Sequence, residues 1–315
     1  PILLKIKNNL MKKGKYLITG CAGFIGGNLV KKISKDFDLI LVDDLSRGSL
    51  KNIEKKYRRR LIKKKIQDLN KTKIRNIKGI FHLAAQSSVP LSLKNFNKSS
   101  NNNISSSIKV FDLAKRLSIP VVYTSSSAVY GNLPVGKDYL NKYSITSPYA
   151  LDKLTLENYA KMCHEVFDVS SVGLRLFNVY GPGQDQNNPY SAVIPIFMKK
   201  MKKNNLVTIN GGYQTRDFIF IDDVIKILIF SMQKIQKYNK CKIINVGTGR
   251  SLSINHLYRV MKEKLKSNSK FKKKKLDKFD PKKSSCDVKN LLNFLKIKKS
   301  FFTKLEDGIE KTSNI

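Results

Sequence analysis

The feature that most constrains this chain is a glycine-spaced turn between an apolar run and an apolar helical pattern. Residues 16–18 have the composition of a buried strand, and residues 29–33 continue with the spacing of a helix. A strand, a tight turn and a helix in this order form the context that a dinucleotide-binding glycine motif requires. Gly20 permits the turn, Gly23 lets a pyrophosphate approach the backbone, and Gly26 lets the helix pack against the strand.

An acidic residue follows where such a motif binds the adenosine ribose. A second apolar run, residues 39–42, ends at Asp43, which stands 23 residues after Gly20. A carboxylate at this point accepts hydrogen bonds from the ribose hydroxyls and repels a 2′-phosphate. The nearest arginine that could bind such a phosphate is Arg47. These residues therefore predict NAD, rather than NADP, as the cofactor.

Length and hydropathy restrict the class of protein. The chain has 315 residues with 41% apolar content, enough for one large or two modest domains with a real core. No run approaches the ~18 apolar residues of a membrane span. The apolar run Ile2–Leu4, before Met11, is too short for the core of a secretory signal. We treat residues 1–13 as an N-terminal extension.

The net charge of +38 raises the question of nucleic-acid binding. Only ten of the 61 basic residues are arginine, and lysine, asparagine and isoleucine are frequent throughout. The basic clusters at residues 55–65 and 270–283 lack the interleaved aromatics of a base-stacking surface. We therefore expect no nucleic-acid partner, although a basic field would attract a diphosphate substrate.

Cysteine and histidine are too few and too scattered for a metal site. The four cysteines contain no CxxC pair, and the chain has three histidines. This usage predicts neither a disulfide framework nor a bound metal, and it favours a reducing cytoplasm.

Strand and helix patterns alternate along the first half of the chain. This alternation predicts a doubly wound parallel sheet of the Rossmann type, with a smaller C-terminal α/β lobe for the substrate. The NAD-binding domain would span residues 14–177, with a return segment at about 218–246, and the lobe would span 178–217 and 247–315. The predicted strands are 15–19, 38–43, 61–66, 79–83, 120–125, 172–177, 206–209 and 241–246. The predicted helices are 24–35, 70–76, 103–117, 147–167, 191–203, 222–233 and 253–266.

A serine cluster and a tyrosine–lysine pair are candidates for the chemistry. The strand at 120–125 ends in the serines at 125–127, and strand carboxyl ends are where open α/β sheets bind ligands. Tyr149 and Lys153 are four apart on a predicted helix, so they share one face. Bringing a tyrosine pKa from about 10 to about 7 needs about 4 kcal/mol. We expect the Lys153 ammonium and the nicotinamide charge to supply it together.

With these motifs in order, the chain resembles the extended short-chain dehydrogenase/reductases, the family of nucleotide-sugar epimerases and dehydratases. The resemblance covers nearly all of residues 14–312. Stretches 184–195 and 209–218 are similar to the UDP-N-acetylglucosamine 4-epimerase branch. The family landmarks are Thr19–Gly26, Val42–Leu45, His82–Gln86, Ser125–Ser127, Tyr149 with Lys153, and Arg175–Pro182.

The resemblance implies a set of NAD-binding residues. Asp68 would meet the adenine amino group, Ala84 to Gln86 would line the groove, and Asn103 would help to fix it. The full implied set is Gly20, Ala22, Gly23, Phe24, Ile25, Gly26, Asp43, Asp44, Leu45, Ser46, Gly48, Asp68, Leu69, Leu83, Ala84, Ala85, Gln86, Asn103, Ser125, Tyr149, Lys153 and Phe177.

It also implies residues that bind a UDP-sugar. Arg216 suits a diphosphate because its fork gives two directed hydrogen bonds. Ser284, four residues after Asp280, falls at the family's gate beside the carbon-2 substituent, where a serine leaves space for an acetamido group. The implied set is Ser87, Ser88, Ser126, Ser127, Tyr149, Asn178, Ala192, Val193, Asn210, Arg216, Asp280 and Ser284.

The chain departs from the family pattern at two points. The family usually has Arg-x-Gly-Asp where this chain has Asp-Lys-Phe-Asp at 277–280. A second phosphate-binding arginine is therefore missing, and Lys278 would replace it less well. This change could also move the gate by one residue, to Lys283 or Ser285. Ser106 stands where a glycine is usual, which should only tighten packing.

The implied reaction is reversible epimerisation at carbon 4 of a UDP-hexose, as used in polysaccharide biosynthesis. UDP-N-acetylglucosamine/UDP-N-acetylgalactosamine is the expected pair, with UDP-glucose/UDP-galactose as a second. The catalytic residues would be Ser126, Tyr149 and Lys153: Tyr149 removes the 4-hydroxyl proton while Ser126 bonds the same oxygen. Hydride passes to tightly bound NAD and returns after the 4-keto sugar turns its other face. A homodimer would form through helices 103–117 and 147–167.

Three alternatives stay open. A 4,6-dehydratase needs an acid pair where this chain has Ser127 and Ala128. A UDP-glucuronate epimerase would need a pocket for a carboxylate. A non-catalytic relative that binds NAD or RNA is opposed by the intact Ser126, Tyr149 and Lys153.

Overall fold

The computed structural model of the protein describes residues 11–69, 74–185, 192–277 and 280–313. The strands in chain order are β1 Lys15–Thr19, β2 Asp38–Val42, β3 Leu61–Ile62, β4 Ile77–His82, β5 Val121–Ser126, β6 Val135–Gly136, β7 Ser171–Leu176, β8 Asn178–Tyr180, β9 Val207–Asn210, β10 Thr215–Phe220, β11 Cys241–Val246, β12 Ser251–Ser253, β13 Phe271–Lys274 and β14 Ser285–Cys286. The α-helices are α1 Phe24–Ile33, α2 Lys55–Arg58, α3 Val89–Lys94, α4 Phe96–Leu117, α5 Pro148–Phe167, α6 Val193–Met201, α7 Ile221–Ile235, α8 Ile254–Lys264, α9 Lys289–Leu295 and α10 Leu305–Ser313.

Seven strands form one parallel sheet in the order β3-β2-β1-β4-β5-β7-β11. The strand order reverses between β1 and β4, because β2 and β3 extend the sheet one way and β5 extends it the other. Ligands of open α/β sheets bind beyond the strand carboxyl ends at such a point. The predicted Rossmann-type α/β fold is confirmed.

Helices cover both faces of this sheet, because strands buried on both sides need an apolar layer on each. On one face α1 and α7 contribute Leu29, Val224 and Leu228 to a shared core. On the other face α4 and α5 contribute Val110 and Leu156 to a second core. The site therefore rests on a sheet that is held rigid from both sides.

Three small sheets lie beyond the main one: β12-β10-β8, β13-β9 and β14-β6. The pairing of Ser285 with Val135 joins a C-terminal segment to the chain that follows β5. β10 belongs to a small sheet, whereas α7 and β11 return to the large one. The division into domains at 14–177, 178–217 and 247–315 stays a prediction.

Several predicted elements differ from the observed ones. Residues 70–73 of the predicted helix 70–76 lie outside the described residues, and 74–76 are not helical; Asn76 has φ of 56°. Of the predicted strand 61–66, only 61–62 pairs, and the lysines at 63–65 are exposed. α4 begins at Phe96 rather than 103, because the Asn95 side chain caps it by accepting a hydrogen bond from the Lys98 N–H.

Candidate active site

The carboxyl edge of the sheet opens into a cleft of about 2100 Å³. Pockets for a single small ligand hold roughly 300–1,000 Å³, so this cleft has room for two ligands side by side. Every residue predicted to bind cofactor or substrate lines it, except Ala22, Leu45, Leu69, Ser88 and Asn103.

Those five residues support the wall of the cleft from behind. The backbone N–H groups of Ala22 and Leu45 donate to the Asp43 carboxylate, each at 2.9 Å. The Asn103 amide bonds both backbone groups of Gln86, at 2.8 and 3.1 Å. Ser88 caps α3, and Leu69 is buried. The contacts predicted for these five residues with cofactor or substrate stay predictions, and the position of Asn103 agrees with its expected role of fixing the groove.

The glycine turn has the shape that a dinucleotide needs. Gly20 has φ of 70°, and a Cβ there would lie 2.6 Å from the Ala84 nitrogen. A Cβ on Gly26 would overlap the carbonyl oxygen of Gly20. Gly23 lines the cleft and immediately precedes α1, with no side-chain cap on the helix. Free N–H groups at this helix start can therefore bind phosphates.

The acid after β2 is held in place by its own backbone. Asp43 is buried, and its carboxylate lies beside Gly48 at the edge of the cleft. Burial raises the pKa of Asp43, while the hydrogen bonds from Ala22 and Leu45 partly counter that rise. Each oxygen keeps further acceptor capacity for a ribose hydroxyl. The residues present thus fit NAD.

Tyr149 and Lys153 are fixed by the start of α5. The Ser147 hydroxyl accepts a hydrogen bond from the Ala150 N–H at 3.2 Å, and proline follows at the first helical position, a strong helix-start combination. The Lys153 Nζ lies 5.8 Å from the centre of the Tyr149 ring. It donates to the carbonyl oxygen of Thr124 at 2.7 Å. Sequence spacing therefore placed this pair correctly on one face.

Burial dominates the electrostatics of the pair. It raises the pKa of Tyr149 to about 12, although a hydrogen bond with Ser126 lowers it somewhat. Burial also lowers the pKa of Lys153 to about 8. The expectation that the Lys153 ammonium and the nicotinamide charge together lower the pKa of Tyr149 stays a prediction.

Ser126 ends β5 next to the tyrosine. Its Oγ accepts a hydrogen bond from the Ala128 N–H at 3.1 Å, and its hydroxyl lowers the pKa of the Tyr149 phenol. Two hydroxyl groups that line the same part of a cleft can both reach a single substrate oxygen.

Beneath these residues lies a buried ionic network that sequence reasoning missed. Glu157 accepts hydrogen bonds from Arg175 at 2.6 and 2.8 Å and from the Ser125 hydroxyl at 2.5 Å. Arg175 also donates to the Tyr130 hydroxyl, which donates to Asn245, both at 2.7 Å. The sequence did contain one indication of this network, because Glu157 follows Lys153 by one helical turn and therefore lies on the same face of the helix.

At the far end of the cleft, Arg216 and Asp280 form an ion pair. Arg216 is nearly buried and also donates to the Thr215 carbonyl at 2.7 Å. Gln214, which the sequence did not single out, lines the same end and donates to the Asn210 carbonyl at 2.6 Å. Lys278, the predicted substitute for the missing arginine, lies outside the described residues.

The candidates for the gate residue beside the sugar's carbon-2 substituent lie at and just before β14, which pairs with β6. Ser284 and Ser285 both line the cleft, whereas Lys283 does not.

No group of three or more potential metal ligands occurs within the described ranges. Over the same ranges, none of the helices combines the length and apolarity needed to cross a membrane.

The glycine turn, the acid after β2 and the buried tyrosine–lysine pair define an NAD-dependent enzyme of the short-chain dehydrogenase type. The chain belongs to the NAD dependent epimerase/dehydratase family, whose model matches residues 16–247. The predicted family and cofactor are thereby confirmed.

Three similar proteins illustrate the range of the family. A putative UDP-glucose 4-epimerase of Methanocaldococcus jannaschii is 34% identical over 79% of this chain and 82% of its own. A solved UDP-N-acetylglucosamine 4-epimerase of Methanobrevibacter ruminantium, in complex with UDP-N-acetylmuramic acid, is 34% identical. It covers 96% of this chain and 98% of its own, with a TM-score of 0.89. A UDP-glucuronate 4-epimerase of Thermodesulfobacterium geofontis is 27% identical over 96% and 95%.

Proposed function

We propose that this enzyme interconverts the carbon-4 epimers of a UDP-hexose. The observation that carries the proposal is that Ser126, Tyr149 and Lys153 line one cleft with room for NAD and a nucleotide sugar. The M. jannaschii and M. ruminantium relatives, both named as 4-epimerases, support it.

The residues divide the acid–base work. Tyr149 removes the proton of the sugar 4-hydroxyl and later returns it, while Ser126 holds the same oxygen. Lys153, fixed on the Thr124 carbonyl, keeps a positive charge beside the phenolate. NAD, held by the glycine turn and Asp43, would supply the reversible hydride transfer at carbon 4. No second redox substrate is needed.

The preferred pair is UDP-N-acetylglucosamine/UDP-N-acetylgalactosamine, with UDP-glucose/UDP-galactose as a second pair. Ser284 and Ser285 are small, and their hydroxyls can bond an acetamido group. We assign Arg216 to the diphosphate as a directed cation and Asp280 to the UDP moiety. The cleft lining, which includes all of the predicted UDP-sugar residues except Ser88, supports this assignment.

The alternatives have less support from the site. UDP-glucuronate carries an extra carboxylate and would need a pocket that binds it. A 4,6-dehydratase would need general acids at Ser127 and Ala128, and neither side chain can supply a proton.

The test is incubation of the NAD-loaded protein with UDP-N-acetylglucosamine, UDP-glucose and UDP-glucuronate separately, with products read by chromatography. The matched control is Tyr149→Phe, which should fold, retain NAD and lose ~10²–10⁴-fold in turnover. A variant that keeps more than a tenth of the wild-type rate means that another residue is the base. Failure to convert any of the three sugars at carbon 4 contradicts the proposal.

We also infer a homodimer in the cytoplasm. α5 exposes Leu151, Met162 and Val166, and α4 exposes Ile108. A second copy would cover these side chains. All four cysteines are free, which suits a reducing compartment. Val166→Glu should convert the dimer to a monomer in light scattering; an unchanged mass would exclude this face.

A further inference from the structure

Two buried charges lie side by side on α5 with only neutral hydrogen-bond partners. Lys153 is 4% exposed, and its ammonium donates to the Thr124 carbonyl. Asp152 is 3% exposed, and its carboxylate accepts a hydrogen bond from the Asn103 amide at 2.9 Å. Across the part of the chain that the structure describes, no cationic nitrogen lies within 4.0 Å of that carboxylate. Buried charges without opposite charge nearby are strongly unfavourable.

The other ionisable groups around Lys153 are already accounted for. Glu157, on the same helix, is paired with Arg175 of β7. His82 of β4 hydrogen-bonds Thr19 and Ser107, and burial first, then Lys153, lowers its pKa to about 3, so it is neutral. Burial raises the pKa of Tyr149 to about 12, which keeps it neutral in the free protein. Asp152 and then Glu157 raise the pKa of Lys153. Because Arg175 balances the charge of Glu157, Asp152 is the carboxylate near Lys153 that, among the described residues, has no cation of its own within 4.0 Å.

We infer that Asp152 is the counter-ion that keeps Lys153 protonated and so sets the pH range in which the Tyr149–Lys153 pair works. This inference rests on the proposed acid–base role of that pair. Asp152 is a positioning residue, because it acts through Lys153. Side chains at adjacent helix positions do not face each other. The two charges thus interact through the protein interior, where charge interactions are stronger than in water.

The charge of Asp152 acts on both members of the pair in one direction. It raises the pKa of Lys153, against the lowering by burial, and it adds to the rise in the pKa of Tyr149. Asn103 holds the carboxylate and also bonds the Gln86 backbone. The counter-ion is thereby tied to the wall of the cofactor groove.

Asp152→Asn removes the charge but keeps a group that can bond Asn103. Both apparent pKa values of the coupled pair should fall, so the pH optimum of turnover should move about one pH unit lower. On the alkaline limb the variant should be about tenfold slower than wild type at equal pH, and on the acid limb it should be faster. The matched control is Asp223→Asn, a fully buried carboxylate on α7 that accepts from the Thr303 N–H. It should lower stability and leave the optimum in place.

Two further variants cover the case that Asp152→Asn does not fold. Asp152→Ser is neutral and smaller and should show the same acid shift, whereas Asp152→Glu keeps the charge and should restore the wild-type optimum. A readout without turnover is the ultraviolet titration of the Tyr149 phenol, with Tyr149→Phe as the blank. It separates failure of this inference from failure of the proposed reaction. An unchanged optimum and an unchanged titration in the neutral variants would overturn the assignment.

Discussion

Replacing Glu157 with glutamine should destabilise the protein more than most single substitutions. Glu157 and Arg175 are 0% and 1% exposed, and three hydrogen bonds end on the Glu157 carboxylate. Glutamine has nearly the same shape, so no cavity forms. It cannot neutralise the guanidinium, which is left as an uncompensated charge in the interior.

The size of the effect follows from this burial. Breaking a buried ion pair by removing one partner costs about 3–5 kcal/mol. We expect the lower end, because the glutamine oxygen can still accept one bond from Arg175. At about 2–4 °C per kcal/mol for a chain of this size class, the melting temperature should fall by about 6–12 °C.

The assay is thermal unfolding at fixed protein and NAD concentration, since bound cofactor shifts the apparent stability. Glu54→Gln is the control: Glu54 pairs with the exposed Lys56 at 3.4 Å, and its loss should have no measurable effect. The double variant Glu157→Leu/Arg175→Met removes both charges and should recover much of the loss. A decrease in melting temperature of less than about 2 °C for Glu157→Gln would refute the reasoning. So would a double variant whose melting temperature is no higher than that of Glu157→Gln.

Three other outcomes follow from the cleft. Gly26→Ala should lose both bound NAD and thermal stability, because its Cβ would overlap the Gly20 carbonyl. Gly23→Ala should fold normally and lose only bound NAD. Cofactor content and melting temperature distinguish the two variants. Titration of apo-protein should show tighter binding of NAD than NADP, since Asp43 repels a 2′-phosphate; the reverse order would contradict the cofactor assignment. Ser284→Tyr should abolish turnover of UDP-N-acetylglucosamine while keeping some on UDP-glucose, because only the larger substituent clashes. Equal loss on both sugars, or no loss on either, would mean that Ser284 is not the gate.

Short-range features of this protein were readable from the sequence. The glycine turn, Asp43 and the Tyr149–Lys153 pair each depend on a spacing within one strand–helix–strand unit or one helical turn, and the structure places all of them in one cleft. Elements without a local pattern were missed. β8, β12 and β14 have two or three residues each, too few to show the alternation of a strand.

The electrostatics of the site could be decided only by the tertiary structure. From the sequence, the Lys153 ammonium and the nicotinamide charge together were expected to lower the pKa of Tyr149. Folding also buries the tyrosine, which raises that pKa, and turns the ammonium toward the Thr124 carbonyl. It also brings Asn103 onto Asp152 from 49 residues away. Local spacing determines which side chains share a face, but desolvation and partners from distant strands determine their charge states, because both depend on the complete packed interior.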